Sequence, residues 1–218
     1  MSGEFGIIMK KEIILFILAL LIFNQIVYAE SIMLPDGPHK VYYDTGELKF
    51  ECMIVKGDCT GVTKAYYKNG NLQGEDIYQE GERNGPFKRY YENETLSSEG
   101  SYKNGKPDGP MKDYYENGVL RIERSFLNGE FDGIAKEYDE QGHLKGESGY
   151  KNGSMDGAWK SYNENGTLLY EWNYKDGRPH GRFLTFDEDG RLIDEKFFEN
   201  GVFKTGRRFN KTLENSSQ

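Results

Sequence analysis

The sequence predicts an all-β protein, an elongated antiparallel meander or solenoid of seven 24-residue, two-strand repeats. Three observations support this. Gly37, Gly61, Gly85, Gly109, Gly133, Gly157 and Gly181 recur every 24 residues without a slip. Within each unit two turn signals, such as Glu116-Asn117-Gly118 and Leu127-Asn128-Gly129, separate runs too short for helices. Composition agrees, because Gly is 27 of 218 residues and aromatic residues are 14%, while large aliphatic side chains are scarce. Self-similarity at a fixed period marks architectures in which each unit packs only on its neighbours.

The first element is an address. Lys10 and Lys11 precede the apolar run Ile13 to Phe23, and Val27-Tyr28-Ala29 supplies a cleavage pattern. Residues 1–29 therefore read as a secretory signal peptide, the run being too short for a membrane span. Residues 30–36 are a lead-in. Repeats follow at 37–60, 61–84, 85–108, 109–132, 133–156, 157–180 and 181–206. The polar tail 207–218 lies outside the repeat phase and is expected to be disordered.

With the recurring Gly as position 0, position 3 is Lys in six repeats and Leu184 in the last. Position 5 is Tyr or Phe, position 11 is Leu, position 14 is Glu and position 17 is aromatic except for Ile54. A three-residue loop such as Glu116-Asn117-Gly118 sets Tyr114 directly across from Leu120. A two-residue loop would throw them onto opposite faces. Strict alternation from there puts Phe126 on the same face and the position 14 Glu on the other. Glu94 replaces the turn Gly in repeat 3, so that hairpin is expected to be the least regular. One Leu and two aromatics cannot offset the ordering of 24 residues, so a lone repeat is not expected to fold.

Pieces such as Tyr114-Tyr115-Glu116-Asn117-Gly118 with Leu120, and Tyr102-Lys103-Asn104-Gly105-Lys106-Pro107-Asp108-Gly109, carry a family likeness. From Gly37 to about Gly206 the chain resembles the MORN-variant repeat of bacterial YwqK-like proteins, a group labelled as antitoxin components. The resemblance implies β-hairpin arrays used for protein or lipid-headgroup contact, without shared catalytic residues.

The formal charge of −8 opposes binding to nucleic acid and to anionic lipid. Nucleophile and phosphate-loop motifs are missing from the sequence, and seven Glu at one repeat position read as cross-strand partners for Lys or turn amides. Asp187-Glu188-Asp189-Gly190 begins like a Ca2+ loop, but Arg191 stands where an oxygen ligand belongs. His39, His143 and His180 share no repeat position. No cofactor or metal is expected. Cys52 and Cys59 are the candidate disulfide, one that requires repeat 1 to depart from the regular register. The candidate partner-binding face is the position 6 column Tyr43, Tyr67, Tyr91 and Tyr115, joined by Trp159 and Trp172 in repeat 6. The Tyr column suits either protein or glycan contact or a second layer covering a thin sheet. These readings describe an exported, non-catalytic protein-binding or scaffold module of the periplasm, cell envelope or exterior. An antitoxin or immunity protein is the alternative, and an enzyme acting on glycans or lipids ranks below both.

Overall fold

The computed structural model describes residues 34–209. The expected signal peptide at 1–29 and the end of the tail lie outside the described residues. The strands are β1 (Gly37–Tyr42), β2 (Leu48–Val55), β3 (Asp58–Tyr66), β4 (Leu72–Gln79), β5 (Glu82–Tyr90), β6 (Leu96–Lys103), β7 (Lys106–Pro107), β8 (Gly109–Tyr114) and β9 (Leu120–Leu127). They continue as β10 (Glu130–Phe131), β11 (Gly133–Tyr138), β12 (Leu144–Lys151), β13 (Ser154–Tyr162), β14 (Leu168–Lys175), β15 (Arg178–Phe186), β16 (Leu192–Glu199) and β17 (Val202–Arg208). All pair antiparallel with their sequence neighbours in one open 17-stranded sheet. The short β7 and β10 are first halves of β8 and β11, split at Asp108 and Asp132, whose amides donate to the carbonyls of Ser101 and Ser125.

Two turn chemistries alternate. One is a two-residue turn with both φ angles positive, as at Asn152 (+47°) and Gly153 (+77°), whose twist matches the flanking strands. Each turn is tied to the strand that follows the preceding turn, the Gly153 amide donating to the Phe131 carbonyl of β10 at 2.9 Å. The other is the expected three-residue loop. The Tyr115 amide donates to the Val119 carbonyl and the Gly118 amide to the Tyr115 carbonyl, both at 2.9 Å.

Tyr114 faces Leu120, as the sequence predicts, and there the alternation breaks. Asp113 faces Ile122, so Arg121 is an extra residue, and the same slip recurs in all seven repeats. One extra residue flips every later side chain. Glu123 therefore lies opposite Lys112 on the face of Tyr114, and Phe126 moves to the reverse face opposite Gly109. Both expectations drawn from strict alternation are corrected by this bulge. A second bulge between repeats adds two residues to the incoming strand, as where Asp76 faces Phe87 but Tyr78 faces Arg83. An even number leaves the faces unchanged.

The first face is consequently a row of alternating charge. Lys64 faces Glu51 and Glu75, and Lys136 faces Glu123 and Glu147. The Tyr66 hydroxyl donates to Glu51 at 2.7 Å, Tyr114 to Glu99 at 2.8 Å and Tyr162 to Glu147 at 3.3 Å. The bond from Tyr66, aided by Lys40, holds the Glu51 carboxyl below its usual range. Burial first, then the carboxylate, pushes the Tyr66 and Tyr114 hydroxyls up to about 12.

Three further expectations are corrected. The repeat 3 hairpin is regular, because Glu94 itself adopts φ +67° and donates its amide to the Tyr91 carbonyl as the glycines do, while the Tyr91 amide donates to the Thr95 carbonyl. Cys52 and Cys59 are bonded with Cα atoms 5.8 Å apart, and repeat 1 keeps the common register. Cys59 faces Ile54, two residues beyond Cys52, so the pair are diagonal same-face neighbours at the bulge. Arg207 and Arg208 belong to β17 rather than to a disordered tail. β17 carries one extra residue at its bulge where earlier strands carry two, so Glu195 meets Arg207, and the Phe209 amide still donates to Ile193 at 2.9 Å.

Candidate binding face

The second face carries positions 2, 4, 13, 15 and 17 of each repeat and is finished differently along its length. Every buried side chain among the described residues falls between Cys52 and Met111. Ile54 is 2% exposed, and Thr63, Asp76 and Phe87 accompany it. Arginines close this half. Arg89 donates from Nη2 to both Asp76 oxygens at 2.8 and 2.6 Å and lies 5.2 Å from the centre of the Phe87 ring. Arg83 reaches Asp76 at 3.4 Å and lies 5.2 Å over Tyr102. Arg124 pairs with Asp113 at 2.8 Å and lies 5.9 Å over Phe126. Each guanidinium is held by a carboxylate while its flat side covers a ring.

The later repeats lose these arginines. The places of Arg83, Arg89 and Arg124 are taken by Phe131, Glu137 and Ser148 in or next to repeat 5, and by Met155, Ser161 and Trp172 in or next to repeat 6. Aromatic rings meet one another instead. Phe126 stacks on Phe131 at 4.7 Å and Phe131 reaches Tyr150 at 5.3 Å. Trp159 and Trp172 face each other across β13 and β14 with ring centres 4.9 Å apart, Trp172 stacks on Phe183 at 5.3 Å, and Phe183 meets Phe198 at 4.7 Å. Phe131 and Tyr170 are more than a third exposed.

A gap separates the two aromatic series. Repeat 5 has small residues at positions 2, 13 and 15 together, namely Ala135, Gly146 and Ser148. They floor an open groove of about 420 Å³ walled by Phe131, Tyr150 and Trp159. Arg124 stands on its border, already engaged by Asp113, and Glu137 on the rim is bonded to Lys145 at 2.8 Å, both half-exposed. Ser148 sits directly opposite Trp159.

The six residues of the expected partner-binding face are not brought together. Tyr43, Tyr67, Tyr91 and Tyr115 lie at the three-residue turns, half-buried, and their hydroxyls donate to the carbonyls of Tyr66, Tyr90, Tyr114 and Tyr138 at 2.7 to 2.9 Å. They tie each turn to the next repeat. Trp159 and Trp172 stand on the second face. In the last three repeats Asp139, Asn163 and Asp187 replace the Tyr and accept amides of their own turn, Asp187 taking Asp189 and Arg191 at 3.1 and 2.9 Å. The sequence that began like a Ca2+ loop is such a turn. His143 bonds Asp139 at 3.0 Å and His180 accepts the Asn200 amide. Among the described residues no group of three or more His, Cys, Asp or Glu is placed to hold a metal. The aromatic strip and its groove were missed because they rest on departures from the repeat. The joint loss of bulk at Ala135, Gly146 and Ser148 was the available signal.

Comparison with known proteins gives one result. The family model described as the MORN repeat variant matches residues 35–55, 60–80, 83–104, 107–128, 131–152 and 155–176. Strands β15 to β17 carry the pairing pattern beyond the last matched segment. No curated protein matches the chain.

Proposed function

The chain belongs to the MORN repeat variant family, and on that premise we propose that it is an exported, non-catalytic module that binds a partner protein through the aromatic strip of its second face. MORN repeats are associated with protein or membrane-lipid binding. The observation that supports this surface is the contrast within one face. Rings capped by arginine in the first half lie uncapped from Phe131 to Phe198. Uncapped aromatic rings on both sides of an open groove suit contact with another molecule. The recurring Glu favour binding over catalysis, since the fold uses them against Lys and Tyr. The Cys52–Cys59 bond fits an oxidising compartment such as the periplasm or the exterior.

The test joins two measurements. Mass spectrometry of protein recovered from the expressing cell should show a mature start near residue 30. Immobilised protein should retain a partner from envelope extract, and that retention should fall with Trp159→Ala plus Trp172→Ala but persist with Tyr67→Phe. Equal retention by the Trp variant removes the strip from the proposal. A captured protein that loses an activity of its own on binding would make this an antitoxin or immunity protein.

A further inference from the structure

The closed half of the second face indicates what the open half accepts. Three times in repeats 2 to 4 an aromatic ring is covered by a guanidinium that a neighbouring carboxylate holds in place, as with Arg89 on Phe87 and Asp76. In repeat 5 the rings and a carboxylate are present and the covering cation is gone. Phe131, Tyr150 and Trp159 wall the groove, Ala135, Gly146 and Ser148 leave its floor empty, and Glu137 stands on the rim. Resting on the proposed function, we propose that this groove receives an arginine or lysine side chain from an extended basic segment of a partner protein, laid against Trp159 and Tyr150 with its charge toward Glu137.

The chemistry favours that occupant over its rivals. Cations lie favourably on aromatic faces, most strongly on Trp, and more so where water is displaced. The formal charge of −8 attracts a basic segment and repels an anionic bilayer. A groove sunk below its aromatic walls needs a protruding side chain, which a flat lipid surface does not offer. Of the cations lining the groove, Arg124 is engaged by Asp113 and Lys145 by Glu137, and Lys136 stands in the charged row of the first face, opposite Glu123 and Glu147. Only Lys145 must yield. Its pair with Glu137 is half-exposed on both sides, the kind of ion pair that contributes little.

Both tryptophans of the chain, Trp159 and Trp172, lie on the strip, so intrinsic fluorescence reports occupancy directly. The probe is a short extended peptide alternating Gly and Arg, titrated into the whole protein beside the same peptide with citrulline for Arg, chitohexaose, and phosphatidylglycerol vesicles. Saturable quenching by the Arg peptide, at least tenfold weaker with citrulline, is expected. Ser148→Trp fills the groove with the residue that repeat 6 carries at the same position, Trp172. It should weaken the Arg peptide about tenfold while circular dichroism stays unchanged, and Glu137→Gln should weaken it several-fold. No saturable response to the Arg peptide overturns the inference. So does equal binding of the citrulline peptide, indifference to Ser148→Trp, or preferential response to chitohexaose or vesicles. A partner captured through Trp159 and Trp172 alongside a silent Arg peptide would leave the proposed function standing and this inference refuted.

Discussion

Repeats 1 to 4 and repeats 5 to 7 share one backbone and finish it in two ways. The register, both bulges and both turn types are the same from β1 to β16, and β17 departs only in its one-residue bulge. The first four repeats add a Tyr that bonds the next repeat from every three-residue turn, a disulfide, and arginines that close the second face. The last three put an Asx side chain in place of that Tyr, capping its own turn, and leave the aromatic face uncapped. A repeated backbone thus supplies the scaffold, and side chains outside the repeat consensus decide which stretch is sealed and which is free for contact. Linear arrays allow this division because each repeat answers only to its neighbours, so stability need not be uniform along the chain.

The largest expected difference sets one half against the other. Phe87 is 9% exposed beneath Arg89 and beside Met111 and Tyr102. Phe87→Ala should cost about 3 kcal/mol, near the lower end for removing a buried ring. Trp159→Ala, which chiefly gives up stacking on Trp172, should cost about 1 kcal/mol. Denaturant midpoints compare the two variants, and amide hydrogen exchange locates the loss. Equal costs would break the distinction between a sealed half and an open one.

The sequence made the backbone largely legible and the finishing only partly so. Strand positions, the three-residue loop and the pairing of Tyr114 with Leu120 follow from spacing. The bulge does not, because the residues at its extra position, among them Arg121, Lys145 and Leu169, share no chemistry. A signal was nevertheless present. Lys recurs at position 3 and Glu at position 14, and these face each other only if one residue between Leu and Glu is skipped. The sealing arginines were hidden for a different reason. Arg83, Arg89 and Arg124 occupy three different repeat positions, so aligning the repeats discards them. The same holds for the groove, which exists because the small residues Ala135, Gly146 and Ser148 coincide in one repeat. Gly100 shows how little room the sealed half leaves: a Cβ there would lie 2.5 Å from Met111 Cγ.

A smaller effect concerns the first face, where the halves are more alike. Tyr66 and Tyr114 hold their protons up to about 12, against an unfolded value near 10. Below pH 10 both states are protonated and these groups add no pH dependence. Between pH 10 and 12 the unfolded chain releases its protons first, so stability falls as pH rises through that window and the contribution levels off above it. Burial also raises Tyr162, but its bond to Glu147 is longer, 3.3 Å against 2.7 and 2.8 Å. Thermal melts from pH 9 to 12 should flatten with Tyr66→Phe and Tyr114→Phe, and less with Tyr162→Phe. An unchanged slope in all three variants would show that the hydroxyl bonds are not tighter in the first half.

The smallest expected change tests whether the first half is tuned for stability at every turn. Glu94 holds φ +67° where the other three-residue turns place glycine, with turn bonds as short as theirs. An L side chain in that conformation carries strain of about 1 kcal/mol, and nothing in the hydrogen bonding of the turn requires a carboxylate there. Glu94→Gly should therefore raise the unfolding free energy, read from denaturant melts, by about 0.5 to 1 kcal/mol, and Gly118→Glu, one repeat on, should lower it by a similar amount. If Glu94→Gly is neutral while Gly118→Glu is costly, the turn in repeat 3 recovers its strain through Glu94 itself. If both shift as expected, the first half is sealed by its second face and its Tyr ties despite one strained turn, and the contrast between the halves resides in those side chains alone.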